Sequence, residues 1–489
     1  MPHGGGSAGR VRVRAAPGRF ARRFSLAALA TGALAAIALP GNRMGLGVLL
    51  TAVAVAGAAL AGGAFPRTRS HAVLGLLALA LAAMAVLRAA PWLIALDLVA
   101  AVALASVAAA GGRSWRGVTT GLLAAPRQLV RAPAFVVWCS GVRLSPSAAR
   151  GALPATRGLA LGAALVVVFG ALFASADEAF AQFTERLLSP GVDLGLLPAR
   201  LVTFVVIAAL VASLALASVA GVREGDARPT RSRTSLEWIV ALSLLDLLFA
   251  AFVAVQIAVL FGGHDHVLRT SGLTYAEYAR EGFFQLLVVA FLTLAVVGLA
   301  GRHRGERDGR APTEIEALLG LLCILAIVVV VSALRRLGLY EEAFGLTLAR
   351  LLAQAAALWV GAVLLLVLAA GVLRGGQWLP RAVLGAAGAA LLILSLLNPE
   401  GLVAERNVDR FERTGKADFF YLAGLGPDAV PALRRLPARK EACVLQRTAW
   451  EVRDADGLFE LNVGRARARS GLIGLPEASP SSSRECQTP

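Results

Sequence analysis

A chain of 489 residues that is 57% hydrophobic and only 16% charged, with a mean hydropathy of +0.70, is too apolar for a water-soluble domain and describes an integral membrane protein. The net charge of +17 invites a nucleic-acid partner, but its distribution excludes that reading. Residues after Leu397 hold 14 basic and 13 acidic side chains, leaving 34 basic against 18 acidic for the membrane part, which is a topology signal.

Taken in order, residues 1–23 form an Arg-rich segment predicted to be disordered and cytoplasmic. The ARRFSL run faintly resembles a twin-arginine signal, yet many spans follow and no A-x-A site is clear, so the first helix is predicted to be retained. Eleven apolar runs come close to the roughly 20 residues that cross a bilayer. They are Phe24–Pro40, Met44–Ala64, His71–Leu87, Trp92–Ala110, Gly158–Ser175, Leu201–Val222, Leu236–Phe261, Gly282–Ala300, Ile315–Leu334, Leu346–Leu373 and Ala382–Leu397. The predicted fold is an all-α polytopic membrane protein, divided into a four-helix region 24–110, a basic cytoplasmic loop 111–157 and a seven-helix core 158–397. An extracytoplasmic helical tail 398–474 and a disordered end 475–489 complete the chain.

Placing the first arginines in the cytoplasm makes the connections alternate as the positive-inside rule requires, with 25 of the 34 basic residues inside and 9 elsewhere. Eleven crossings then give an N-in, C-out protein. The loop 111–157 carries seven arginines and no acidic residue, and LLAAPRQLVRAPAFVVW within it mixes Arg127, Arg131 and Trp138 with aliphatic residues, as a helix lying on anionic headgroups would. The connection after the fifth span, with Asp177, Glu178, Phe180, Phe183, Glu185 and Leu188, is amphipathic on the opposite side.

Helix signals sharpen several boundaries. Thr274 and Glu277 have capping-box spacing, as do Thr234 with Glu237 and Thr313 with Glu316. Asn398-Pro399-Glu400 reads as N-cap, N1 and N2 of a helix ending at Gly415, with Val403, Val408 and Phe411 on its apolar side. Further short helices are expected near Phe419–Leu425 and Pro427–Leu436.

The polar segments before the eighth span, before the tenth and after the eleventh fall on one side, and all four tyrosines lie in or beside them. They define a candidate outer-face cluster. His264, Asp265 and His266 would stand above Tyr275, Glu277, Tyr278, Glu281 and Gln285, with Tyr278, Glu281 and Gln285 sharing a helix face. Tyr340, Glu342, Arg350, Asn398, Glu405 and Asn407 complete it. The H-D-H triplet lacks a distant third ligand for a metal. Arg350 is placed to snorkel or to pair with Glu281 or Glu342. Within spans, Asp97 and Asp246 are the notable acids; a charge at the depth of Asp246 costs at least roughly 2.5 kcal/mol, so the residue is a neutral acid or faces a polar interior. The cysteines lack CxxC spacing, so neither a zinc site nor a redox motif is indicated; Cys443 and Cys486 both lie in the outer tail and could pair, but the loose Ser/Pro-rich end around Cys486 argues against it.

LTYAEYAREGFFQLL, RLGLYEEAFGLTLARL and LNPEGLVAERNVDRF together resemble the motifs of an uncharacterised bacterial multi-pass membrane family, the domain of unknown function 4173, common in actinobacteria. The resemblance covers roughly 159–436 and leaves the first four spans outside. It implies architecture and supplies no activity, cofactor or site residue. Arginine-heavy usage, with only Lys416 and Lys440, agrees with a high-GC bacterial source.

Three functional classes fit. The first is a non-enzymatic envelope component, a sensor or assembly partner working through its outer face with another envelope protein. A transporter or lipid-handling protein using Asp97, Asp246 and Arg350 is the second, although none of the 21 prolines falls well inside a span. An outer-face enzyme on a lipid-linked substrate is the third, against which stand the absent nucleophile elbow, P-loop and H-E-x-x-H motifs.

Overall fold

A computed structural model describes residues 18–63, 68–129, 196–222, 235–261, 275–302, 313–373 and 376–473, with isolated positions between 131 and 162. Among these residues the chain is helical and contains no strand, an all-α polytopic membrane protein. Its membrane helices are α1 (Gly18–Ala38), α2 (Leu46–Ala61), α3 (Arg69–Leu87) and α4 (Pro91–Ala110). Two short helices, α5 (Trp115–Leu122) and α6 (Ala124–Gln128), come next. Then follow α7 (Leu197–Ala220), α8 (Ser235–Phe261), α9 (Tyr275–Arg302), α10 (Thr313–Phe344), α11 (Leu348–Val372) and α12 (Leu379–Leu396). Eight of these are long and apolar enough to cross a membrane, and α1 and α2 contribute shorter apolar stretches. Ten of the eleven expected spans thus coincide with helices; the fifth, 158–175, and the amphipathic segment after it lie outside the described residues.

Two boundaries shift. The N-terminal segment is not irregular up to Arg23: α1 already begins at Gly18, because the Ala- and Arg-rich FARRFSL stretch contains good helix formers with no breaker. At the capping boxes, α8 starts at Ser235, α9 at Tyr275 and α10 at Thr313 itself. Thr234 and Thr274 are outside the described residues. Prolines fall at helix starts, as at Pro91, Pro198 and Pro380, where the missing N–H costs nothing.

The helices form a chain of neighbours. α1, α2 and α7 pack together, α7 also meets α4, and α3 pairs with α4. α12 bridges that group to α11, and α11 leads to α10, on which α8 and α9 lie. Close approach is built in where Gly32 faces the Phe204 backbone and Gly388 sits under Leu77 and Leu104, where a Cβ would come within 3 Å of its neighbours.

Past Leu397 the chain builds a compact cap from α13 (Pro399–Thr414), α14 (Phe419–Ala423), α15 (Val430–Leu433), α16 (Ala438–Glu451) and α17 (Val463–Gly471), with 3₁₀ turns at Pro427–Ala429 and Leu458–Glu460. Asn398 caps α13 as its sequence position demands, its Oδ1 accepting the Gly401 N–H at 3.2 Å, and Gly415 ends the helix at φ +70°. Val403 and Val408 are fully buried, and Phe411 packs beside them. The core of the cap is continuous with membrane-helix residues: Leu422, Val430, Leu433 and Leu445 join one cluster with Ala90, Leu93, Leu351 and Leu394. The tail is therefore a lid fastened to the helix ends, and not a tethered domain.

On the opposite side, Gly111 (φ +85°) and Gly112 (φ +123°) turn the chain sharply so that α5 and α6 lie across the ends of α4 and α7. Ser106, fully buried on α4, fixes this corner by donating to the Gly121 carbonyl at 2.6 Å and accepting from the Ala125 N–H at 3.0 Å. Ala132, Val136 and Cys139 are buried against α1 and α7, so this part of the basic loop does not lie wholly on headgroups; Pro133 and Trp138 are outside the described residues.

Candidate functional site

The side carrying the cap gathers the ends of α1 to α4 and α10 to α12. The physical problem there is that each helix end leaves backbone groups without intrahelical partners, and the connections are too short to supply them. Residues of the tail do so in trans. Asp428 accepts the N–H of Ala89 at 2.7 Å, just before α4, whose own N-cap residue Ala90 has no capping side chain. Asn462 donates to the Ala85 and Arg88 carbonyls at 2.9 and 2.7 Å, completing the end of α3. The Tyr421 hydroxyl accepts the Leu348 N–H at 2.8 Å at the start of α11. Arg410 donates to the Ala343 carbonyl at 2.7 Å at the end of α10, and the Leu461 carbonyl accepts the Leu46 N–H at 3.0 Å at the start of α2. Arg88, in the α3–α4 connection, donates to the Ser395 and Leu396 carbonyls at the end of α12, where the helix dipole favours a cation.

The polar core of this junction is buried. Arg465, 7% exposed, donates to Asp456 at 3.0 Å, to the Met44 carbonyl at 3.0 Å and to the Glu460 carbonyl. Glu400, 6% exposed, accepts from the Trp92 indole N–H at 3.2 Å and the Gly426 N–H at 3.0 Å. Burial pushes the Glu400 carboxyl above the ordinary carboxylate range, and neighbouring Asp428 adds to the shift; Asp428 is itself pushed up by burial, against the pull of its backbone donors and Arg88. Gly464 and Gly426 leave room for these acids: a Cβ at Gly464 would displace Asp428 Oδ1, and one at Gly426 would come within 2.6 Å of Glu400 Oε2.

The residues expected to form the outer cluster divide into three groups. His264, Asp265 and His266 lie outside the described residues. Tyr275, Glu277, Tyr278 and Glu281 occupy the first turns of α9, their side chains outside the described set, and Gln285 is exposed two turns further on. Of the rest, Tyr340, Glu342, Arg350 and Asn407 lie at the end of α10. Arg350 donates to the Gly345 carbonyl and lies 4.2 Å over the Tyr340 ring, a cation–π contact in place of a pair with Glu342. Glu342 faces solvent, whereas the adjacent Glu341 turns inward and accepts from Gln354 at 2.6 Å. Asn407 donates to the Leu346 and Val403 carbonyls at 2.7 Å each and braces the Gly345 turn (φ +80°). Asn398 and Glu405 line an open groove of about 310 Å³ with Gly401, Asp428 and Arg435.

Among the described residues, neither intramembrane acid faces a polar cluster. Asp97, 1% exposed, accepts from the Ser395 hydroxyl at 2.9 Å, a hydrogen bond that joins α4 to α12. Asp246, 4% exposed, shares its face of α8 with Leu242, Phe249 and Val253, and neither carboxyl oxygen has a hydrogen-bond partner among the described residues. Replacing it with leucine removes an unsatisfied buried polar group, so Asp246→Leu is expected to raise stability by about 1–3 kcal/mol in thermal unfolding in detergent, and Asp246→Asn to leave the yield of folded protein unchanged. A loss of folded protein in both variants would contradict this.

Sequence reasoning missed Glu400 as a buried acceptor, and Asp428, Asn462 and Arg465 altogether. Their local signal is an acid, amide or arginine beside a glycine (Gly426, Gly464), too common to single out. Among the described residues no group of three or more His, Cys, Asp or Glu side chains is arranged to hold a metal ion.

No curated protein and no solved structure matches the chain. A family model for a domain of unknown function, DUF4153, matches residues 73–436, from α3 through the first part of the cap. It differs in number from the family that the three motifs resemble, and it takes in α3 and α4, which that resemblance left outside. The match takes in α4, α7 to α12 and the tail residues Asp428 and Tyr421 that cap helix ends, and leaves α1 and α2 outside. The chain belongs to the DUF4153 family.

Proposed function

We propose that this protein is a non-enzymatic component of a bacterial cell envelope, embedded in the cytoplasmic membrane with its C-terminal cap outside, where it contacts another envelope protein. The observation that carries the reading is the cap itself. Its buried polar residues are engaged in closing helix ends, while its surface exposes Phe420 and Trp450, each 78% exposed, together with Leu458 and Ile473. Large apolar side chains on a rigid body outside the spans are what protein interfaces use as anchors. Gentle extraction followed by native mass spectrometry is expected to recover a stoichiometric protein partner that is lost from the Phe420→Ser, Trp450→Ser double variant. A partner retained by that variant would refute the assignment of this surface.

The orientation has two supports. Basic residues concentrate in the connections away from the cap, and Cys443 of α16 is disulfide-bonded, a state that persists in oxidising compartments. Cys486, the other tail cysteine, lies outside the described residues. Cys139 and Cys323 are buried and in no disulfide, so neither competes with an introduced cysteine for reagent. A membrane-impermeant thiol reagent applied to intact cells is expected to label Trp450→Cys and not Arg116→Cys; the reverse pattern would invert the protein.

The transport reading retains one observation in its favour, that Asp246 has no hydrogen-bond partner among the described residues, since Asp97 is bonded to Ser395 and Arg350 lies over Tyr340. A flux lost in Asp246→Asn with the fold intact would establish it.

A further inference from the structure

We propose that the α5–α6 face is a binding site for an anionic phospholipid of the leaflet away from the cap. Between α6 and the C-terminal end of α7 lies a cavity of about 230 Å³. Thr120, Arg127 and Gln128 line one part of it, and Ala217, Ala220 and Val222 another. Arg127 is exposed, and neither it, Arg116 nor Arg131 has an ion-pair partner among the described residues. No acidic residue occurs anywhere between Gly111 and Arg157, so nothing in this connection neutralises them.

The occupant follows from what flanks the charge. Trp115 (45%), at the start of α5, and Leu123 (49%) and Leu129 (37%), the residues that end α5 and α6, are exposed. A soluble anion would use only the guanidinium groups. A phospholipid uses both parts of the surface, its phosphate against Arg127, Gln128 and Thr120 and its glycerol and upper acyl chains over Leu123, Leu129 and the aliphatic wall of the cavity. The corner held by Ser106 keeps α5 and α6 in this position independently of any ligand, so the site is preformed. It stands apart from the cap and does not depend on the envelope reading.

The test is native mass spectrometry of the full chain released from nanodiscs of phosphatidylcholine doped with phosphatidylglycerol. The wild type is expected to retain phosphatidylglycerol in preference to phosphatidylcholine. Arg127→Gln should reduce that preference about fivefold, the value of one basic side chain near a charged surface, and Arg116→Gln with Arg131→Gln should reduce it further. Ala220→Leu, which fills the cavity at an exposed position without changing charge, should also release the lipid, whereas Arg406→Gln on the cap should have no effect. Equal retention of both lipids would overturn the proposal, as would equal loss in Arg406→Gln. Displacement by glycerol phosphate alone would reassign the cavity to a soluble anion and refute the lipid.

Discussion

Arg465→Ala will loosen the cap from the α1–α2 connection and cost about 3–5 kcal/mol, the usual consequence of removing one member of a buried ion pair. The side chains of Arg465 and Asp456 are 8% and 3% exposed and 3.0 Å apart, so the variant strands a carboxylate with little access to water. Arg469, 3.5 Å from the same carboxylate, moderates the loss and places the expected value toward the lower end. The guanidinium also reaches the Met44 and Glu460 carbonyls, which a lysine ammonium cannot serve simultaneously with Asp456. Arg465→Lys should therefore fall between wild type and alanine. Limited proteolysis in detergent is the measurement, with cleavage in 430–473 accelerated while the membrane helices stay protected. Unchanged proteolysis of the tail would show that the interlock contributes nothing to docking.

Asp428→Ala will open the junction at its other end, by about 2 kcal/mol for a hydrogen bond to a buried carboxylate. The N–H of Ala89 loses its acceptor, and no neighbouring side chain in the α3–α4 connection can replace it. The pH dependence carries a definite sign. Burial holds both Asp428 and Glu400 above the ordinary carboxylate range, so the folded state binds more protons than the unfolded state between the ordinary and the raised values. The contribution of these two groups to stability is greatest at the acid end of that window, falls as pH rises through it and is constant above. Asp428→Asn and Glu400→Gln should each flatten the slope of melting temperature against pH relative to wild type. An unaltered slope would mean that neither group titrates on undocking.

The spans were legible in the sequence because a hydrocarbon core imposes one strong condition, length with hydropathy, that single helices satisfy alone. The Asn398-Pro399-Glu400 start of α13 was legible for the same reason: a cap is a local event. What sequence did not show is pairing over distance. Asp97 reads as a functional acid until Ser395, 298 residues away, is seen to donate to it. Glu342 rather than Glu341 was placed in the polar cluster, whereas Glu341 is the one that accepts from Gln354; adjacent helix positions differ by about 100° and nothing local fixes the rotation. The ends of α10, α11 and α13 do meet, where Asn407, Arg410 and Arg350 brace the Gly345 turn through backbone carbonyls.

The trans-caps also set an order of assembly. Ala89 and Asp428 are 339 residues apart, and Arg88 and Asn462 are 374 apart. During synthesis the α3–α4 turn is therefore made, and inserted, long before its hydrogen-bond partners exist. A chain that stops after Leu397 has every span yet leaves the backbone groups of Ala85, Arg88, Ala89 and Leu348 to be satisfied by water. The tail thus closes the molecule last: until it is made, these helix ends stay open to water.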